Sequence, residues 1–294
     1  MTIKNGTTFA GIAAAVLCGT VVAGCSTARA PSADMPSTDI LSTAAWVPRP
    51  LPVPSASTVS QFAPSGRLRA AINFGNPILA NRDAAGQPAG VSVDLARELA
   101  RRLGVPVEFV TYDAAGKVVE GLKTGAWDVA FLAIDPARAV DIDYTAAYVV
   151  IEGAYLVRDG SQLTANEQVD RPGTRVVVGK GSAYDLFLSR ELKQATIVRA
   201  PTSQEVVNQF VAQSLDVAAG VRQLLESDAQ RIPGLRLLPG RFMAIDQAMG
   251  MPQGRDAALP WLREFVEEMK GAGFVLQSLA RHRIEGAALA PPAR

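Results

Sequence analysis

The sequence predicts an α/β protein of two lobes that face each other across a cleft, and three observations predict it. Strand and helix signals alternate from Gly66 onward. The alternation falls into two blocks, residues 66–155 and 156–245. Further helical patterns follow residue 250 and need a lobe to pack on. With 294 residues, 48% of them hydrophobic, the chain can bury a sizeable core, in one large or two small domains.

Each element has its own signal. Residues 68–72 (LRAAI) read as a short strand ending in the turn Asn73-Phe74-Gly75-Asn76-Pro77. Over 93–103, Leu95, Ala96, Leu99, Ala100 and Leu103 recur on one helical stripe, which Gly104 and Pro106 close. Residues 107–110 are a strand. Val118, Val119 and Leu122 mark a second helix ending at Gly125. Residues 127–133 (WDVAFLA) are nearly continuous apolar, as in a strand buried on both faces of a parallel sheet. The second block repeats the order. Strand 175–178 leads through Gly179-Lys180-Gly181-Ser182 into a helix from about Ala183, and Ile197-Val198 is a strand. Thr202-Ser203-Gln204-Glu205 has the form of a capping box for a helix bearing Val206, Val207 and Phe210, and residues 215–219 are a buried strand. Pro260 opens a last helix with Leu262, Phe265, Val266 and Met269 at core spacing; Gly271 and Gly273 interrupt it before Phe274-Val275-Leu276 and Leu279. In open parallel sheets ligands gather at the carboxyl ends of strands, so two such lobes face to face make a cleft that can close.

Composition removes several classes of function. A net charge of +1 and the lack of a Lys/Arg-rich run argue against nucleic-acid binding. Two cysteines, Cys18 and Cys25, and one histidine, His282, cannot assemble a tetrahedral Cys/His zinc site or a disulfide scaffold. His282, between two arginines near the C-terminus, reads as an exposed terminal-helix residue rather than a catalytic one. Neither a cofactor nor a metal is expected.

The N-terminus reads as an address. Lys4 precedes a mainly apolar run over residues 9–23 that is short for a membrane span. Val22-Ala23-Gly24-Cys25 resembles the bacterial lipobox, which implies cleavage before Cys25, a diacylglyceryl group on its thiol, and a periplasmic or cell-surface protein held to a membrane by lipid alone. The alternative is an ordinary signal peptide cut near Ala28 or Ala30. Residues 26–65, rich in Ser, Thr, Ala and Pro, read as a flexible tether, and residues 285–294 as a disordered tail.

Several motifs, in order, resemble the family 3 extracellular solute-binding proteins, the polar amino-acid receptors of ABC transporters. Gly90-Val91-Ser92-Val93-Asp94-Leu95-Ala96 matches the family's G-F-D-V-D-L-A element. Leu122-Lys123-Thr124-Gly125-Ala126-Trp127-Asp128 matches L-x-x-G-x-x-D. Ile134-Asp135-Pro136-Ala137-Arg138 is similar to T-x-x-R, and Asp143-Tyr144-Thr145-Ala146-Ala147-Tyr148 to D-F-S-x-x-Y. The likeness covers about residues 66–284. It implies a type 2 periplasmic binding fold with a two-segment hinge: lobe 1 over 66–155 and 246–284, lobe 2 over 156–245. It implies a monomeric binding protein, not an enzyme, that delivers a small carboxylate-bearing solute to an ABC permease.

The resemblance also implies roles. Arg138 matches the arginine that clamps a ligand carboxylate, a task suited to a planar fork of donors. Leu132, Ala133 and Ile134 would line the same wall, and Asn73, Phe74 and Asn76 the first ligand-facing loop. Gly181-Ser182-Ala183-Tyr184 matches a G-T-T turn at a helix N-terminus, where backbone N–H groups favour an anion. Lys180 is a second candidate cation. The sequence also departs from the family. Where an Asp normally meets the ligand ammonium, after the strand at 215–219, stand Gly220, Val221 and Arg222. Asn73 and Ala146 replace common Asp residues, and Asn76 a common aromatic. Glu152 is the candidate substitute acid, with a hinge salt bridge as its other reading. A keto acid, a modified amino acid or another small carboxylate therefore stays open as ligand. Two other readings are a cyclohexadienyl-dehydratase-like exported enzyme, which would need Glu152, Arg138 and Lys180 together, and a ligand-sensing receptor component.

Overall fold

A computed structural model of the protein describes residues 51–293. The expected signal segment, Cys25 and the tether up to residue 50 lie outside the described residues. Helix α1 (Ala56–Phe62) leads into β1 (Leu68–Asn73), the short hairpin β2 (Asn81–Arg82) and β3 (Pro88–Ala89), and α2 (Val91–Leu103). Then come β4 (Val107–Tyr112), α3 (Ala115–Lys123), β5 (Val129–Ala133) and the long β6 (Ile142–Arg158). The second block runs β7 (Arg175–Gly179), α4 (Ala183–Glu191), β8 (Thr196–Ala200), α5 (Val206–Ala212), β9 (Val217–Val221), α6 (Arg222–Arg231) and β10 (Leu235–Leu237). Strand β11 (Met243–Pro252) is followed by α7 (Leu259–Gly271), α8 (Phe274–Arg281) and β12 (Ala288–Leu289).

The strand order β4-β1-β5-β11-β6-β9-β7-β8 explains the two blocks. In each lobe three parallel strands place the first in the middle, β4-β1-β5 in one and β8-β7-β9 in the other. Between them lie β6 and β11, antiparallel to each other and to β9 and β5 respectively. These two crossing segments form the hinge of a type 2 periplasmic binding fold. The carboxyl ends of β1, β5, β7 and β9 converge on the cleft between the lobes.

Packing holds each lobe as a layered unit. Helix α2 buries Leu95, Ala96, Leu99 and Leu103, and α7 buries Leu262, Phe265 and Val266, in one continuous core. On the opposite face of β5, Trp127 is fully buried with Val118, Leu132 and Ile142, and its indole N–H donates to the Val118 carbonyl at 2.8 Å. In the second lobe Val206, Val207 and Phe210 of α5 and Leu225 of α6 close one face of the sheet. Burying one such large apolar side chain stabilises by roughly 1.5–3 kcal/mol.

Three expectations need correcting. The tether does not run to residue 65: Ser55 caps α1, Phe62 is buried edge-on against Trp261 at 5.8 Å, and the Trp261 indole donates to the Pro52 carbonyl. The apolar Leu51, Val59 and Phe62, spaced among polar residues, were the anchors that its composition masked. The C-terminal tail is ordered too. Ala288 and Leu289 pair with Val150 and Val149 of β6, Ala290 is buried, and the Lys270 ammonium donates to the Pro291 carbonyl at 2.8 Å. The exposed edge of a hinge strand recruits it. Finally, the capping box before α5 does not form. Glu205 stands at the N-cap without a side-chain bond, and Ser203 instead accepts from the Tyr184 hydroxyl at 2.7 Å.

Candidate functional site

Strand β5 ends at Ala133, and the loop after it folds back on Asp135. The Asp135 carboxylate accepts from the Ala137 N–H at 2.9 Å, and its carbonyl from the Arg138 N–H at 3.0 Å. That turn drives the Arg138 side chain inward, where it is 3% exposed. Its guanidinium donates to the Ala133 carbonyl at 3.0 Å within the first lobe and to the Gly181 carbonyl at 2.8 Å in the second. Nε has no partner. Burial pulls the Arg138 pKa below its ordinary value, opposed by nearby Tyr144 and Asp135, and a guanidinium remains charged at neutral pH even so. The Tyr144 hydroxyl faces this cation outside hydrogen-bond geometry, and burial pushes its pKa up to about 12.

The second lobe supplies the opposite wall. Gly181 ends the turn after β7, and Ser182 caps α4 by accepting from the Asp185 N–H at 3.0 Å. Asp185 in turn accepts from the Gly181 N–H at 2.8 Å and pairs with Arg199. Gly181 has φ +69°, and a Cβ there would lie 2.8 Å from the Gly116 Cα of the first lobe. Two more bonds span the lobes: Arg190 to Asp135 at 2.8 Å, and the Gln204 amide to the Phe74 carbonyl at 2.7 Å.

Between these walls is a cavity of about 30 Å³ lined by Asn73, Asn76, Ala133, Arg138, Ser182, Ala183 and Tyr184, together with Gly75, Ala115, Leu132, Ser203, Val221, Ile245 and Gln247. A space of about 10 Å³ adjoins it, bounded by the same Asn73, Asn76 and Gln247 with Leu79, Ser92 and Phe131. The lobes must part to admit anything as large as an amino acid. Gly75 fits where a Cβ would strike the Asp113 carbonyl at 2.6 Å, so the first loop can press close to β4.

Eight of the residues singled out from sequence, Leu132 among them, thus line one cavity. Four do not. The Phe74 ring lies under the Arg82 guanidinium at 4.4 Å, and the Ile134 and Lys180 side chains are exposed. Glu152 sits at the hinge, paired with Arg222 at 2.7 Å and Arg241 at 3.2 Å. Its bond to Arg222, aided by Arg241, holds its carboxyl below the usual range. Its part is structural, because two cations already satisfy it. His282 is also not free: its Nε2 lies 2.9 Å from Asp94, which Ser278 and Arg281 also contact. Sequence reasoning missed Ser203 and Gln247. The signal for Gln247 was a polar residue on the buried parity Ile245, Gln247, Met249, Met251 of β11.

Residues 68–282 match the family described as bacterial extracellular solute-binding proteins, family 3. The chain belongs to that family. A search of curated proteins returned no match. Similar solved structures include one described as a putative binding component of an ABC transporter from Wolinella succinogenes complexed with lysine: 22% identity, TM-score 0.64, covering 74% of this chain and 95% of that one. The solute receptor for L-cysteine of Neisseria gonorrhoeae is 23% identical at TM-score 0.66, covering 76% and 92%. The ancestral amino acid-binding protein AncCDT-1, a precursor of cyclohexadienyl dehydratase, is 22% identical at TM-score 0.65, covering 76% and 98%. At these identities the likeness speaks for the fold.

Proposed function

We propose that the protein captures a small carboxylate-bearing solute between its lobes and delivers it to an ABC-type permease, held at an extracytoplasmic membrane surface by lipid on Cys25. Residues 66–155 with 246–284 act as the first lobe and 156–245 as the second. The observation that carries this reading is Arg138: a buried guanidinium, braced by Ala133, reaching the second lobe where the two meet. A ligand carboxylate between Arg138 and the Ser182 turn would take the place of the Gly181 carbonyl as acceptor and add charge to the bond. Because ligand and both lobes share that cation, binding and closure are one event.

The test is a thermal-shift screen of small carboxylates on the wild type and Arg138→Ala. A ligand at a hundred times its Kd stabilises by about 2.7 kcal/mol, a shift of several degrees. The shift is expected in wild type and lost in the variant, with the variant's own unfolding still cooperative. An equal shift in both would rule out the clamp. For the anchor, mass spectrometry of the membrane-associated protein is expected to show a diacylglyceryl adduct that Cys25→Ser lacks.

A further inference from the structure

The charges around the cavity are unequal, and the imbalance narrows the ligand. Among the described residues that line it, Arg138 is the one formal charge. The other polar groups are neutral: Asn73, Asn76, Ser182, Tyr184, Ser203 and Gln247. The neighbouring carboxylates are already committed. Asp135 is held by Arg190 and the Ala137 N–H, Asp185 by Arg199 and the Gly181 N–H, and Glu152 by Arg222 and Arg241. At the carboxyl end of β9, where α6 begins, Val221 presents an apolar side chain to the cavity and Arg222 turns away to Glu152.

A zwitterion in this space would place its carboxylate on Arg138 and bury its ammonium without a carboxylate partner. Desolvating an ammonium is costly unless an opposite charge answers it, and amide or hydroxyl oxygens return only part of that cost. A neutral oxygen substituent has no such cost. It also suits the groups present: a 2-hydroxyl can donate to Asn76 Oδ1, a buried acceptor without a partner among the described residues, and a 2-oxo group can accept from the side-chain amide N–H groups of Asn76 and Gln247. Resting on the carboxylate reading above, we infer that the ligand is a 2-hydroxy or 2-oxo acid rather than an α-amino acid. Arg138 takes the carboxylate, and the amides of Asn73, Asn76 and Gln247 take the neutral oxygen at C2.

Isothermal calorimetry on the purified protein tests this with matched sets that differ only at C2: L-lactate, pyruvate and L-alanine; 2-hydroxyglutarate, 2-oxoglutarate and L-glutamate; 2-hydroxy- and 2-oxo-4-methylpentanoate and L-leucine. In at least one set the hydroxy or oxo acid is expected to bind ten-fold or more tightly than the amino acid. Val221→Asp, which adds a carboxylate to the cavity wall, is expected to narrow or reverse that preference. If the amino acid binds as tightly or more tightly in every set that binds, the inference fails while the carboxylate clamp stands. If no member of any set binds, both fail. The wild-type comparison decides the matter even if Val221→Asp does not fold.

Discussion

Arg138 and Gly181 meet across the cleft. One supplies the cation, and the other the backbone that meets it from across the cleft. Gly181 is doubly constrained, by φ +69° and by a Cβ position 2.8 Å from Gly116 Cα. An alanine there takes a left-handed conformation costing roughly 1–2 kcal/mol, and it wedges the lobes. Gly181→Ala is expected to weaken ligand affinity ten-fold or more and to leave a larger radius of gyration by small-angle scattering at saturating ligand. An unchanged Kd would show that close approach at this point is not needed. At this scale the sequence was a partial guide. Arg138 was legible because a loop motif after an apolar strand places it there. Glu152 was misleading, since the cations that satisfy it, Arg222 and Arg241, lie on other elements 70 and 89 residues away. The signal at Gln247 is weak, because its place on the buried parity shows only once Met243–Pro252 is taken as a strand.

The same device ties the base of each parallel triple. In the first lobe Arg69 at the start of β1 bonds Asp128 once through its backbone N–H and twice through its guanidinium, while Arg255 adds a fourth contact at 3.2 Å. In the second, Arg175 at the start of β7 bonds Asp216 in the same way. Burial separates their energetic weight. Asp128 has a fully buried side chain, whereas Arg175 and Asp216 are 44% and 41% exposed. Asp128→Ala leaves two partly buried guanidinium groups unanswered and is expected to cost about 3 kcal/mol in urea denaturation. Asp216→Ala should cost under about 1 kcal/mol. Equal losses would contradict this weighting by burial. The strands of both triples and helices α2 to α5 were readable from periodicity, with ends shifted by a residue or two, whereas α6 carries too weak an apolar stripe to be read. The hinge was not, because β6 and β11 are long antiparallel partners whose pairing joins residues about 100 apart, a relation that no local pattern records. Strand β12 and the segment before β1 were hidden for a related reason. Short polar-rich segments take their order from the surface on which they dock.

The described residues form two similar lobes, two hinge strands and two straps, before β1 and after α8, that both contact α7. Its acid stability follows from its ion pairs. Bonds from Arg101 and Arg102 hold Glu98 below its ordinary pKa, and those from Arg222 and Arg241 do the same for Glu152. For Asp216, burial works the other way but is outweighed by Arg175. Each group binds fewer protons folded than unfolded. Each therefore stabilises the fold above the free-carboxylate range of roughly pH 4 and loses that contribution as pH falls through its lowered value. The denaturation midpoint is expected to fall steadily below about pH 4.5; a midpoint level down to pH 3 would contradict these assignments. Closure has its own pair, Asp135 with Arg190, which joins the lobes beside the cleft.

A crystal structure of the ligand-bound protein tests directly whether Arg138 holds a carboxylate between the lobes. The expected result is a carboxylate on the Arg138 guanidinium, between Ala133 and the Ser182 turn, with the Gly181 carbonyl displaced from its present donor. A ligand seated elsewhere, for example in the hollow of about 630 Å³ beside Arg158, Arg171 and Thr174, with Arg138 still bonded to Gly181, would contradict it.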